Sequence, residues 1–335
     1  MNIYDIAKKS GVSIATVSRV LNDSDSVKQI TKEKVISVIK EENYRPNAFA
    51  RGLSAHSIKL IGVVCTDVSD AFFAKAVSIL QGLLRELGYS VILCCTGESK
   101  EEMKSQLDYM LEKNIDAIFL IGSTFCDDNF AENIFSAAAK APTFMINAKI
   151  DGENIYSVYS DEEASVSDTV NKLITSGKKN ILYVYDALTP SAIAKLSGYV
   201  KGITQNNIEY NEELVVKAAK TIEGGKTAVK TAIKNGNVPD AVICAEDILA
   251  IGALKEMQKN KIKPCVIGFN NSFLCECASP TLSSIDNRLY DMCKTAVDVM
   301  IKVLNGEKVD KKYKLSAELI LRESFKGEKQ SGNNK

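Results

Sequence analysis

Before residue 57 the apolar positions recur at three- and four-residue spacing: Ile3, Ile6 and Ala7, then Val17, Val20 and Leu21, then Val35, Val38 and Ile39. That is the period of an amphipathic helix, so the segment predicts three short helices sharing one small core. From Lys59 the pattern changes to short apolar runs of strand length: LIGVVC at 60, VILCC at 91, AIFLI at 117, TFMI at 143, ILYVY at 181, AVICA at 241 and CVIGF at 265. Amphipathic stretches separate them, which is the alternation of buried parallel strands with helices. A polar stretch from Asp151 to Asp161 divides the first four runs from the others. Doubly wound sheets of five or six strands are commoner than wider ones, so two Rossmann-like lobes are expected.

Composition adds class and compartment. The chain has 335 residues, 45% hydrophobic and 25% charged, with 42 Lys+Arg against 42 Asp+Glu, which describes a soluble globular protein of more than one domain. Overall charge suggests no nucleic-acid partner, yet residues 1–57 hold nine basic and six acidic residues, a surplus that the remainder balances. The nine cysteines are scattered without a CxxC pair, and the single histidine, His56, lies far from the close sets Cys94-Cys95 and Cys275-Glu276-Cys277. Reduced, mostly buried thiols are expected, with no metal site and no cofactor. The N-terminal MNIYDIAKKSG has no apolar core of a signal peptide, and no apolar run nears the roughly 18 residues of a membrane span. A cytoplasmic protein is predicted.

Enzymatic motifs fail on inspection. Gly224-Gly225-Lys226-Thr227 resembles the end of a phosphate-binding loop, but Lys220 stands where that loop requires its first glycine. One histidine in a linker leaves no Ser-His-Asp or Cys-His site, and there is no GxGxxG. An α/β kinase or dehydrogenase is the weaker alternative, and no enzyme is predicted.

The first two helices carry the more informative spacing. Ile3 to Ser10 forms one helix, Gly11-Val12-Ser13 supplies a turn in which glycine is free to take a left-handed backbone, and Ser13 caps a second helix to Leu21. Ala7 is small where the helices cross, with Ile6, Val12 and Val17 between them. This is helix-turn-helix spacing, whose second helix enters a DNA major groove. Ile14, Ala15, Ser18 and Arg19 alternate with buried Val17 and Val20 and would face base edges, with Arg19 placed to read a guanine. Ser13 and Thr16 are within reach of phosphates. A three-helix bundle with a solvated basic face would show the same short pattern.

The runs IYDIAKKSGVSIATVSRVLND, TKEKVISVIKEENYRPNAFARGLS and KLIGVVCTDVSDAFFA, continued by AEDILAIGALKEM, VIGFNN and PTLSSIDNRLYDM, resemble the LacI/GalR family of bacterial transcriptional regulators over nearly the whole chain. The resemblance implies a helix-turn-helix domain over 1–45, a hinge over 46–57 and a periplasmic-binding-protein-like body over 58–326. The first lobe would comprise about 58–158 and 289–317, the second about 159–288 and 318–326, with a polar tail at 327–335. It implies a repressor of a carbohydrate or sugar-acid utilisation operon, acting as a homodimer on a palindromic operator under a small effector held between the lobes. Tyr4 and Asn22 join the DNA-contact set by the same resemblance. Asn47, Ala50 and Leu53 join it through the hinge, where an inserted leucine would unstack a minor-groove base step. His56, after the hinge, reads as a solvated linker residue. Because the tail lacks apolar heptads, a dimer is expected in place of a tetramer.

Ligands of open α/β sheets collect beyond the strands' carboxyl ends. Those positions carry Asp67, Ser69, Asp70, Phe72 and Phe73, then Ser123 and Thr124, Asp186, Asp247, Asn270 and Asn271, a set suited to a hydroxylated small molecule. Asp70 and Asp247 serve equally well as helix N-caps. By resemblance, Lys195 occupies the place of an effector-binding arginine, Asn270 that of an aspartate, and Lys220 lies near another contact. Losing that carboxylate while keeping the cations predicts a positive pocket and favours a sugar acid or sugar phosphate over a neutral sugar. The effector set is therefore Phe72, Phe73, Ser123, Lys195, Lys220, Asp247 and Asn270. A second alternative is a global catabolite regulator sensing a phosphorylated carrier protein. Its tyrosine has a counterpart in Tyr290, but its phosphate-gripping arginine is Asp298 here, which would repel phosphoserine.

Overall fold

The computed structural model describes residues 2–21, 24, 26–42, 58–127, 129–263 and 265–326, and the chain divides into two compact units, Met1–Leu60 and Ile61–Lys335. In the first unit, α1 spans Ile3–Ser10, α2 Ile14–Leu21 and α3 Gln29–Glu41. A capping box starts α1: Asn2 Oδ1 accepts from the amides of Tyr4 and Asp5 at 3.0 and 3.1 Å, and Asp5 Oδ2 accepts from the Asn2 amide at 2.9 Å. The helix stops at Gly11, which takes φ 63° and donates its amide to Lys8 O. A side chain would be strained there, so the turn depends on glycine. Ile6, Ala7, Val17, Val20 and Val35 form the core that the spacing predicts, with Val12 packed against it.

The second unit holds two six-stranded sheets. In chain order the elements are β1 (Leu60–Cys65), α4 (Ala71–Glu86), β2 (Ser90–Cys95), α5 (Lys100–Leu111), β3 (Ala117–Ile121), α6 (Ala131–Lys140), β4 (Thr143–Ile146), β5 (Ile155–Ser160), α7 (Glu162–Thr175), β6 (Ile181–Tyr185) and α8 (Pro190–Gln205). There follow β7 (Val215–Lys217), α9 (Ile222–Lys234), β8 (Ala241–Cys244), α10 (Asp247–Lys259), β9 (Val266–Phe269), α11 (Leu274–Cys277), β10 (Ser283–Asp286), α12 (Leu289–Leu304), β11 (Lys312–Leu315) and β12 (Glu318–Ile320). The first sheet runs β11-β5-β4-β3-β1-β2 and the second β12-β10-β9-β8-β6-β7, with β12 antiparallel to β10. The chain passes between them three times, after β5, after β10 and after β11.

The polar stretch expected to separate the lobes is mostly a strand. Ile155, Ser157, Val158 and Ser160 are buried in β5, paired to β4 on one side and β11 on the other. Its serines and tyrosines hide the apolar signal, because small hydroxylated side chains fill interior positions without raising hydropathy. In the first lobe, α4 and α12 cover one face of the sheet, and Leu80, Leu84, Met292 and Ala296 meet Ile61, Val63, Phe119 and Phe144. In the second lobe, α9 and α10 cross closely enough that a Cβ on Gly252 would stand 2.0 Å from Ile222 O. The Gly224-Gly225-Lys226-Thr227 tetrapeptide lies in the first turns of α9, where Gly225 would collide in the same way with Leu249 O at 2.0 Å. Gly225 permits the helices to pack, and Gly224 leaves room for Ala219 O in the turn before α9.

Candidate functional site

In the first unit, α2 buries Val17 and Val20 and exposes Ser13, Ile14, Ala15 and Arg19 at its start and along one face, with Ser18 and Thr16 half-buried. Ser13 Oγ accepts the Thr16 amide at 3.2 Å and lies 2.9 Å from Thr16 Oγ1, which fixes the start of the helix. Tyr4 is 66% exposed although it belongs to α1. Six candidate residues thus share an unshielded start and face of a short helix, the arrangement that a groove-reading helix needs. Asn22, Asn47, Ala50, Leu53 and His56 lie outside the described residues.

In the second unit, a cavity of about 210 Å³ opens between the carboxyl ends of the two sheets. The first lobe contributes Thr66, Asp67, Asp70, Phe72 and Phe73 from the turn after β1, Glu98 after β2, Gly122, Ser123 and Thr124 after β3, and Asn147 after β4. From the second lobe come Asp186, Thr189, Ser191 and Lys195 around the start of α8, Lys220 after β7, Glu246 after β8 and Asn270 after β9. Phe72, Phe73, Ser123, Lys195, Lys220 and Asn270 therefore converge. The two rings meet edge to face at 5.4 Å. Gly122, at φ +103°, makes room for Phe73, whose ring would lie 2.8 Å from a Cβ there.

Asp247 does not share their position. It is 3% exposed; its Oδ1 accepts from Ser284 Oγ at 2.6 Å and its Oδ2 from the Ser272 amide at 2.7 Å. As the first residue of α10 it is not the N-cap either; Glu246 occupies that place without a side-chain cap bond. The Asp247 carboxylate ties α10 to β10 and the turn after β9, and it borders only a neighbouring cavity. Asp70, by contrast, is an N-cap: its Oδ1 accepts from the amides of Phe72 and Phe73 at 2.8 and 3.4 Å.

Glu246 is the residue that reading the sequence missed. Its carboxylate lies 3.3 Å from Lys220 Nζ and 3.9 Å from Lys195 Nζ and accepts from Asn270 Nδ2 at 2.9 Å. Burial pushes its pKa up to about 7, against the pull of Lys195 and Lys220. Lys220 also reaches Asp70 Oδ2 at 2.7 Å. Burial works against the Lys220 charge, but Glu246 and Asp70 outweigh it and hold the pKa above the usual lysine value. Lys195 is buried, with Nζ donating to Ala245 O at 3.2 Å, lying 4.0 Å over the Phe269 ring and 3.9 Å from Glu162. Glu162 in turn accepts from Ser191 Oγ at 2.8 Å and from Asn147 Nδ2 at 3.2 Å. Ser123 Oγ accepts the Ser191 amide at 3.1 Å.

These pairings correct the expectation of a positive pocket. Asp67, Asp70, Glu98, Asp186 and Glu246 line the cavity against only Lys195 and Lys220. The carboxylate absent at Asn270 stands instead at Glu246, hydrogen-bonded to it. Both cations are already engaged. Among the described residues no group of three His, Cys, Asp or Glu side chains is placed to hold a metal ion, and no helix is long and apolar enough to cross a membrane.

Known proteins match over nearly the whole chain. Residues 2–47 match the model of bacterial regulatory proteins, lacI family, and residues 170–325 that of a periplasmic binding protein-like domain. An HTH-type transcriptional regulator of Lachnoclostridium phytofermentans is 40% identical over 330 residues, covering 97% of this chain and 99% of that one. Catabolite control protein A of Priestia megaterium is 31% identical over 318 residues, 92% of this chain and 94% of its own. The crystal structure of the lac repressor dimer bound to operator and the anti-inducer ONPF superposes with a TM-score of 0.88 at 25% identity, covering 97% of this chain and 98% of that one. N-terminal helix-turn-helix helices, two parallel-sheet lobes and a relative that is 40% identical over 97% of the chain place it in the lacI family of DNA-binding transcriptional regulators.

Proposed function

We propose that the protein is a pathway-specific repressor of a carbohydrate utilisation operon, binding a palindromic operator as a homodimer and releasing or tightening it when an uncharged, hydroxyl-rich effector occupies the crevice. The carrying observation is the crevice itself: two aromatic rings, hydroxyls and amides around a cavity whose carboxylates outnumber its ammonium groups. Aromatic faces suit the C–H surface of a sugar, and paired carboxylates accept from its hydroxyls. An anionic ligand would face Asp186 and Asp67 and would have to displace Asp70 or Glu246 from Lys220. At about 210 Å³ the cavity is below the roughly 300 to 1,000 Å³ of drug-sized sites, which favours a ligand near one sugar ring in size.

On the DNA side, Ser13, Ile14, Ala15, Thr16, Ser18 and Arg19, with Tyr4 and Asn22, are proposed to meet the major groove, and Asn47, Ala50 and Leu53 the minor groove. The catabolite-regulator reading draws support from Catabolite control protein A at 31% identity. Against it, Asp298 presents an acid to any phosphoserine and is already paired with Lys294 at 2.7 Å on an exposed surface. The test is a thermal-shift panel of neutral sugars, sugar acids and sugar phosphates on the full chain, followed by operator titration with each binder. Neutral sugars should stabilise the protein; stabilisation by acids or phosphates alone would overturn the effector assignment, and no operator binding would overturn the repressor.

A further inference from the structure

Cys65 ends β1 and Cys95 ends β2, strands that lie side by side in the first sheet. Their sulfurs stand 4.0 Å apart. The ends of these strands are held in register by the Thr96 amide donating to Cys65 O at 3.0 Å and the Gly97 amide donating to Thr66 O at 2.9 Å. Neighbouring strands run about 4.8 Å apart, inside the roughly 4.4 to 6.8 Å between Cα atoms that a disulfide spans. Cys94 points elsewhere, its Sγ donating to Gln106 Oε1 at 2.9 Å.

We propose that Cys65 and Cys95 are a reversible thiol–disulfide pair that transmits oxidation to the rim of the crevice. Their exposures differ, and this orders the steps: Cys95 is exposed and Cys65 fully buried. With a peroxide as oxidant, the Cys95 thiolate attacks one peroxide oxygen, the O–O bond breaks, and sulfenic acid and hydroxide result, the hydroxide taking up the proton that the Cys95 thiol released and leaving as water. Cys65 then attacks that sulfur, the S–S bond forms, the S–O bond breaks, and the departing hydroxide takes the Cys65 proton as a second water. Both sulfurs are oxidised, the peroxide is reduced, and a thiol reductant reverses the bond. Burial pushes the Cys65 pKa up to about 12, so the first attack falls to its exposed partner.

The bond reaches the crevice through the residues next to each cysteine. Thr66 and Asp67 come directly after Cys65, Glu98 comes three residues after Cys95, and all three line the crevice. Closing the sulfurs from 4.0 Å to a bond of about 2.05 Å fixes both side chains and cross-links these two strand ends.

Full-length protein treated with hydrogen peroxide should lose two hydrogens in intact mass, yield a linked Cys65–Cys95 peptide pair, and return to its starting mass with dithiothreitol. Cys94→Ser should keep the cross-link and Cys95→Ser should lose it; Cys65→Ala tests the buried partner if it folds. Hydrogen exchange of peptides carrying Thr66–Asp67 and Thr96–Glu98 should change on oxidation and recover on reduction. A Cys94–Cys95 bond, a Cys95–Cys95 bond between chains, or sulfinic acid at Cys95 without a cross-link would overturn the pairing. A cross-link that leaves exchange in both peptides unchanged would overturn the coupling. None of these readouts uses a sugar, so they stand apart from the effector assignment.

Discussion

Lys220, which follows β7 in the second lobe, meets Asp70, the cap of α4 in the first, at 2.7 Å across the crevice. One side chain thus joins the lobes and also meets Glu246, at 3.3 Å in the second lobe. Lys220→Met should leave Asp70 and Glu246 facing each other without the cation that joins them, Glu246 keeping only Lys195 at 3.9 Å. The loss is expected to be about 1 to 2 kcal/mol in urea unfolding, reduced by partial solvent access at the bridge. In a double-mutant cycle, Asp70→Asn and Lys220→Met should couple; strict additivity would mean that the bridge does not help to hold the lobes together.

Glu246 sets a pH dependence whose sign follows from its burial. Its folded pKa, about 7, lies above the ordinary 4.5, so its contribution is fully present below the ordinary value and is lost as pH rises through about 7. Glu246→Gln lacks this loss. The variant should gain on wild type, by on the order of 1 to 3 kcal/mol, between about pH 5 and pH 8. Parallel unfolding curves across that range would show that Glu246 ionises normally.

The crossing of α9 and α10 admits no side chain at Gly252, where a Cβ would stand 2.0 Å from Ile222 O and 2.9 Å from Gly225 Cα. Gly252→Ala should cost about 3 kcal/mol or more, because backbone on both helices must move. Thermal unfolding within a degree or two of wild type would mean that the crossing is looser than these distances imply.

Arg19→Ala should weaken operator binding by about 1 to 3 kcal/mol more than binding to random duplex, since a bidentate arginine–guanine contact discriminates by that amount. Salt titrations on both DNAs measure it. Equal losses would reassign Arg19 to a phosphate. Leu53→Ala should weaken operator binding and leave effector binding by the lobes unchanged; a fall in effector affinity would contradict the minor-groove role.

The N-terminal unit was legible because its determinants are local: Ile6, Ala7, Gly11, Val17 and Val20 act within a few turns of one another. The strongly apolar strands were legible for the same reason. β5 was not, since its fit depends on β4 and β11 receiving Ser157 and Ser160, and β11 lies more than 150 residues further along the chain.

In the crevice, sequence supplied the right turns, because βα connections at strand carboxyl ends are fixed by the order of elements. It did not decide between Glu246 and Asp247, adjacent acids at one helix start. Tertiary structure did, by directing Asp247 under Ser284 and Ser272 and leaving Glu246 to face Lys195, Lys220 and Asn270. Sequence likewise showed two lysines and a missing aspartate but not the sign of the pocket. Coulomb interaction depends on distance in space, and Asp70, Glu162 and Glu246 reach those lysines from three separate strand ends that only the folded lobes bring together.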